Sequence, residues 1–435
     1  MAQRTASRIW VEVDDYLTYC EGSVTPTGIG RVQAEILPHL AMLAPERIRF
    51  CRIGEDAALI QPLRLDDVQA LASVDERILG APAWGREPLK LARYLRLRSR
   101  KALNAVGARA ATEAFYREAS VGDILVNLGA SWTHRNFAST VRRLKQERGL
   151  RFALLVHDVL PATHPRFCAP DHVPTFTRWM DGMAGVCDLA LTPSRSSAES
   201  LSSYLRSRRL PVPLVRTVPF GAGWSGSPPA RRKPPSERRH VLYVSTIEIR
   251  KNHRLLVRVW ERLLRVHGPG SIPDLVFAGK WGWEVQDLRR DLRDSEFLGG
   301  KVKVLSDLSD RALSALYDDA LFTVFPSHCE GWGLPVGESL AHGRACVASN
   351  ATSIPEVGGD YVDYHDPADE DGAYDLIEAL LFSPGLLGRR EEAIRARYVA
   401  PTWADTARAV LARLDALSVD SWAEGARARA AGAGP

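Results

Sequence analysis

The stretch Val241-Leu-Tyr-Val-Ser-Thr-Ile-Glu-Ile-Arg-Lys-Asn-His-Arg-Leu-Leu-Val-Arg-Val-Trp-Glu-Arg-Leu-Leu264 contains a whole structural unit. Its first six residues are an apolar, β-branched run of the kind buried in a parallel sheet. From His253 the apolar side chains recur at helical spacing with arginines between them. Between strand and helix lies a polar turn that carries two adjacent cations, Arg250 and Lys251. Strand, turn and helix repeat in α/β layers, where ligands bind outside the carboxyl ends of the strands.

The unit recurs along the chain. Residues 9–13, 123–128, 152–158 and 189–194 read as buried strands before it, and 274–279, 322–327 and 346–350 after it. With 435 residues the chain exceeds the usual size of one hydrophobic core, so two or three domains are expected. The break falls at 221–239, where Gly, Pro, Ser and Arg crowd out regular structure and read as a linker. The last residues, 423–435, have the composition of a disordered tail.

Composition excludes several classes. Apolar and charged fractions of 45% and 25% are those of a globular protein. No apolar run is long enough to cross a bilayer, and the first residues lack the apolar core of a secretory signal, so a cytosolic protein is expected. Cys20, Cys51, Cys168, Cys187, Cys329 and Cys346 show no C-x-x-C spacing, which argues against a zinc cluster or a disulfide framework. The net charge of +5 permits anionic partners, but the basic residues are dispersed and do not indicate nucleic acid.

Chemistry concentrates in Glu330-Gly-Trp-Gly-Leu-Pro-Val-Gly-Glu338. Pro is favoured at the first position of a helix, so a helix starts near Pro335, with Glu330 in the loop before it and Glu338 about one turn inside. Both carboxylates can then face one cleft, while unpaired N–H groups at the helix start face anything negative bound there. That arrangement suggests a nucleotide-sugar site.

Other candidates have weaker signals. Arg250 and Lys251 suit a diphosphate leaving group, the guanidinium with a two-pronged grip. Alone, such a pair is more often a solvated turn, and the Glu330 segment reverses that balance. Gly28, Gly30 and Arg31 stand in Pro26-Thr-Gly-Ile-Gly-Arg31, where two glycines allow close approach to an anion at a helix start. An ordinary tight turn explains them equally. His157 and Asp158 end a strand: the histidine could contact a sugar hydroxyl with Asp158 fixing its orientation, or the two form a structural pair. In the polar loop 350–360, Glu356 either lines the donor side of the cleft or, like Ser353, caps a helix. The stretch 87–101 sets Leu91 and Leu95 among Lys90, Arg93, Arg96, Arg98, Arg100 and Lys101. It suits anionic lipid head groups, but such a pattern is more often simply a solvated helix face.

Taken together, these residues resemble the family 4 retaining glycosyltransferases, and among them the bacterial members that build surface polysaccharides with mannose, rhamnose or related sugars. Glu330 and Glu338 match the family's Glu-x7-Glu pattern, and residues 245–253 its basic diphosphate loop. Gly279-Lys-Trp-Gly-Trp283 matches its Gly-Lys-x-Gly-Trp turn, and residues 349–360 follow a further family pattern. Residues 402–411 resemble the terminal helix that packs back on the first domain. The likeness is continuous from about 241 to 367 and patchy from 9 to 220. Ser245 stands where Gly is common in the family, and Trp332 replaces a frequent Phe.

The resemblance implies an α/β protein of the GT-B fold, two Rossmann-like parallel-sheet domains facing across a cleft. The acceptor-binding domain would span 1–220, a linker 221–240, the nucleotide-sugar domain 241–400, the returning helix 401–420 and a tail 421–435. Arg250, Lys251, Glu330, His157 and Asp158 would form the catalytic group. Glu338, Gly331, Gly333, Leu334, Gly279, Ser245 and Thr246 would bind the donor, and Gly28, Gly30 and Arg31 would be an acceptor or phosphate loop. In these roles Arg250 and Lys251 hold the diphosphate, Glu338 the ribose hydroxyls and Glu330 the donor sugar. Two cations take the place of a metal, so neither metal nor cofactor is expected. The implied reaction moves a hexose from a nucleotide diphosphate sugar, GDP-mannose among the candidates, to a glycan or lipid-linked glycan. Its products would be capsule, O-antigen or lipopolysaccharide, made in the cytosol or at the inner membrane face through contact by 87–101. A sugar-nucleotide epimerase of the same fold, or a glycan- or nucleotide-binding scaffold, stays open as an alternative.

Overall fold

Buried strands must satisfy their backbone N–H and C=O groups in ladders, and here they sort into two sheets. The computed structural model describes residues 7–22, 28–54, 59–72, 108–223, 234 and 237–417. The stretch 87–101, most of the linker, the tail 421–435, and Pro26 and Thr27 lie outside the described residues.

The first sheet contains β1 (Ile9–Glu12), β2 (Ile48–Ile53), β3 (Ile60–Leu63), β4 (Ile124–Asn127), β5 (Arg151–Leu155), β6 (Leu189–Thr192) and β7 (Leu214–Thr217). Its order is β3-β2-β1-β4-β5-β6-β7, parallel except where β3 runs antiparallel to β2. The second sheet contains β8 (His240–Val244), β9 (Asp274–Ala278), β10 (Val302–Leu305), β11 (Ala320–Phe325), β12 (Cys346–Ser349) and β13 (Asp363–His365). Its order is β10-β9-β8-β11-β12-β13, parallel throughout. Each order reverses once, between β1 and β4 and between β8 and β11. Side chains beyond the strand ends at these switch points border a ready-made crevice.

The helix His253–His267 illustrates why the layers hold. Leu255, Leu256, Val259, Trp260 and Leu263 share the face turned to β8 and β9 and are buried. Arg254, Arg258 and Arg262 point outward to Asp291, Glu370 and Asp371. Trp260 is fully buried and donates its indole N–H to the Pro273 carbonyl at 3.1 Å. Gly268, at φ +75°, ends the helix in a conformation that suits a residue without Cβ.

The chain then crosses back. Thr402 and Asp405 form a capping box that starts the helix Trp403–Asp415. Trp403, Ala407, Val410 and Leu414 are buried in the first domain's core against Val32, Ile36 and Leu40 of the helix Gly28–Leu43. Gly221 lies so close to this helix start that a Cβ would fall 2.6 Å from the Trp403 nitrogen.

Five strands, β2, β3, β7, β10 and β13, were not marked by the apolar-run reading. Each is short or carries charge. In β2, Arg49 and Arg52 interrupt the run and are satisfied by Glu118 and Asp14, contacts that exist only after folding.

Candidate active site

The chain of causes begins at β8. This strand delivers Ser245 and Thr246 to the crevice, and Ser245 donates its N–H to Ala278 while Gly279 donates to Leu305. The backbones are pressed so close that a Cβ on Gly279 would lie 1.8 Å from the Ser245 carbonyl oxygen. A short 3-10 turn, Ile249–Lys251, then presents both cations, and Asn252 at φ +56° turns the chain into the next helix.

Opposite, the loop after β11 carries Glu330. Arg250 Nη1 donates to Glu330 Oε2 at 2.6 Å and Lys251 Nζ to Oε1 at 2.5 Å. The Glu330 side chain is 8% exposed. Burial by itself would raise this carboxyl, but the two cations and their hydrogen bonds prevail and hold it at about 2. Arg250 is anchored further by the Cys329 carbonyl at 2.8 Å and by Glu248, at 3.0 Å from Nε and 2.8 Å from Nη2. The free two-pronged guanidinium expected for a phosphate is therefore engaged by protein carboxylates. Burial keeps the Glu248 carboxyl above its ordinary value despite Arg250.

Glu338 belongs to a second group. It lies inside the helix Leu334–Ala341, whose start has Gly333 at φ +123° and Pro335 in the first turn. Its carboxylate accepts from the Tyr317 hydroxyl at 2.6 Å, and burial raises its pKa. Arg31 reaches toward it from the first domain and forms a two-pronged ion pair with Asp310, one arm at 2.7 Å. Gly28, Gly30 and Arg31 thus lie in the first turn of a helix whose cation spans the cleft.

His157 and Asp158 sit at the end of β5 but do not pair with each other. His157 Nε2 lies 3.0 Å from the Leu128 carbonyl oxygen, and Asp158 accepts from the Leu160 N–H at 3.0 Å. Burial lowers the histidine to about 4, leaving it neutral at pH 7. Burial also raises Asp158, against the pull of Arg250. Gly331 fits into the notch beside them: a Cβ there would lie 2.3 Å from the His157 carbonyl oxygen.

Glu356 points across to the first domain and away from the donor side. Its carboxylate accepts from the backbone N–H groups of Arg195 and Ser196, at 2.8 and 2.9 Å. Ser353 donates within its own domain, to carbonyls of the Glu330 loop.

The sequence reading missed several polar groups. Glu248 stood two residues from Arg250 and was detectable. Tyr317, Asp310, Ser194 and Ser197 carried no local signal. At the first sheet's switch point, Asn127 donates to Glu12 at 3.0 Å and Gln33 to Asp15 at 2.8 Å, and burial raises both carboxyls. Asn127 Oδ1 and Gln33 Oε1 are buried without a hydrogen-bond partner among the described residues. A cavity of about 620 Å³ lies at the amino ends of the second sheet, lined by Ile272, Leu321 and Phe382, and shares no residue with the Arg250 cluster. Among the described residues, no group of His, Cys, Asp or Glu could hold a metal ion, and no helix is long and apolar enough to cross a membrane.

Two facing Rossmann-like sheets with a cationic pair at the second switch point define the GT-B architecture. Residues 229–397 match the family described as Glycosyl transferases group 1, and the chain carries a domain of that family. It is similar to the serotype-specific mannosyltransferase WbdA of Escherichia coli, 26% identical over 261 residues, 56% of this chain and 31% of the relative. It is also similar to the O-antigen chain mannosyltransferase B of Escherichia coli, 31% identical over 223 residues, 49% of this chain and 57% of the relative. The chain thus spans less than two thirds of either relative. The solved sucrose-phosphate synthase of Thermosynechococcus elongatus shares the fold, with a TM-score of 0.59 and 17% identity over 93% of this chain and 97% of that one.

Proposed function

We propose that the protein is a retaining hexosyltransferase. In this reading it moves a mannose- or rhamnose-type sugar from a nucleotide diphosphate sugar to a glycan or lipid-linked glycan in bacterial surface polysaccharide synthesis. The observation that carries the proposal is the meeting of Arg250, Lys251 and Glu330 at the second sheet's switch point. Lys251 commits one N–H to Glu330 and has others to offer a phosphate oxygen. Arg250 is pinned on three sides, so its charge stays in place as the leaving diphosphate becomes more negative. Such fixed donors stabilise developing charge without reorganising. Glu330, ionised at neutral pH, can turn an oxygen toward the donor's hydroxyls, and Glu338 offers its carboxylate to the ribose.

In the transfer step, the bond from the sugar's anomeric carbon to the diphosphate oxygen breaks. The acceptor oxygen bonds to the same face, and its proton passes to the departing phosphate. The transition state is oxocarbenium-like, by analogy with glycoside hydrolysis. The chain itself supplies positioning, charge and exclusion of water by the closed domains. The mannosyltransferase names of the two relatives favour GDP-mannose as the first donor to try.

The test is transfer from guanosine, uridine and thymidine diphosphate sugars to an oligosaccharide or lipid-linked acceptor, with the product's anomeric configuration read by NMR. Arg250→Ala and Lys251→Ala should each raise the barrier by about 2–4 kcal/mol. Unchanged turnover in both variants would remove the diphosphate assignment, and an inverted product would remove the retaining mechanism.

A further inference from the structure

The Glu330 loop is gripped from both sides of the cleft. From its own domain, Thr352 Oγ1 accepts from the Glu330 N–H at 2.8 Å and donates to the Glu330 carbonyl oxygen at 2.9 Å. From the first domain, Ser194 Oγ and Ser197 Oγ both donate to the Gly331 carbonyl oxygen, at 2.9 and 3.0 Å. Ser194 is also the N-cap of the helix Arg195–Ser207, accepting from the Ser197 N–H at 3.0 Å. The Glu356 carboxylate, from the second domain, sits on the next two N–H groups of that helix start. Unpaired N–H groups and the helix dipole favour an anion there, and here a protein carboxylate fills the place. Three polar anchors therefore span the interface around one peptide group, the one that joins Gly331 to Trp332.

That peptide has little room to shift. Gly331 lies against the His157 carbonyl, where a Cβ would not fit. Gly331 alone separates this peptide from Glu330, whose carboxylate holds Arg250 and Lys251. When the domains separate, the loop keeps Thr352 and loses both serine hydroxyls.

We propose that Ser194, Ser197 and Glu356 are positioning residues: on domain closure the two serines seize the Gly331 carbonyl, Glu356 holds the helix start that carries them, and together they set the Glu330 carboxylate against Arg250 and Lys251. For its kinetic consequence the proposal rests on the transfer reading above; its structural consequence needs only the interface.

The experiment uses the full chain with Ser194→Ala and Ser197→Ala combined, and reads two quantities. The first is the alkylation rate of the Cys329 thiol, mapped by mass spectrometry. Cys329 is 0% exposed and packs against Leu160, Phe167 and Cys168 of the first domain, so its labelling reports opening of the interface. Loss of two hydrogen bonds should speed it about tenfold, with Cys346 unaffected. An unchanged Cys329 rate overturns the proposal, whatever the catalytic result.

The second quantity is transfer. The expected outcome is a kcat lower by about tenfold, with nucleotide Kd within about twofold of wild type. Ser197→Thr, which keeps the hydroxyl, should stay near wild type. A wild-type kcat in the double variant, or an equal loss of nucleotide affinity, overturns the positioning role. A wild-type protein that transfers no sugar refutes the transfer reading instead, and the Cys329 rate then decides the interface proposal. Should the double variant misfold, Glu356→Gln weakens the same interface at the helix start without removing bulk, and should shift both readouts in the same direction.

Discussion

Replacing Glu330 with Gln removes a negative charge from between two cations, and the consequence can be sized. The ordinary glutamate value of 4.5 falls to about 2 in the folded protein. At about 1.4 kcal/mol per pH unit, that difference corresponds to about 3 kcal/mol of folding free energy. The side chain is nearly inaccessible, so solvent screens little of this. The folded value lies below the unfolded one, so the stabilisation is complete above pH 4.5 and is lost as the pH falls from there toward 2. Urea unfolding of Glu330→Gln at pH 7 should therefore show about 3 kcal/mol less stability, and the variant should lack this acid dependence. The same change takes Glu330's counter-charge from Lys251 and leaves Arg250 paired with Glu248. A nucleoside diphosphate should then raise the melting temperature more in the variant than in wild type, while transfer falls. Wild-type stability at pH 7 together with an equal or smaller nucleotide shift would refute the claim that Glu330 neutralises the pair.

Three further outcomes follow from the same geometry. Gly331→Ala places a methyl 2.3 Å from the His157 carbonyl oxygen and should block closure. Strain of about 1–3 kcal/mol should lower kcat by roughly tenfold to a hundredfold, with nucleotide affinity by calorimetry unchanged; wild-type turnover would contradict it. Glu338→Gln keeps an acceptor for Tyr317, so stability should move by less than about 1 kcal/mol while nucleotide affinity drops, and full affinity would count against a ribose role. Burial lowers His157 from 6.5 to about 4, so its contribution is whole above pH 6.5 and is lost as the pH falls toward 4. His157→Asn should flatten stability across that window, and an unaltered slope would exclude the assignment.

Which parts of this were legible in one dimension follows from where the information sits. Eight buried strands stood out because a parallel strand covered on both faces must be apolar along its whole length. The edge strands β3, β7, β10 and β13 did not, since a strand with a neighbour on one side only tolerates polar residues. The helix of Leu334–Ala341 was marked by Pro335, and the turn before His253 by its cations, because local chemistry decides both.

Only the folded chain could settle who faces whom. Arg250, Lys251 and Glu330 meet because β8 and β11 are neighbours in the sheet, although about eighty residues separate them in sequence. Glu338, eight residues from Glu330, turns instead to Tyr317 and Arg31 because the helix start redirects the chain. His157 and Asp158 are adjacent in sequence, yet the strand end sends their side chains to different backbone partners. Glu356 crosses to a helix of the other domain, a partner 160 positions away. The amino-acid order by itself determined the α/β class, the two-sheet organisation and the turn that presents the cationic pair, because these depend on periodicity and short-range turn chemistry. The pairing of charges across the cleft was decided by tertiary structure, because an ion pair depends on distance in space, and folding sets that distance independently of separation along the chain.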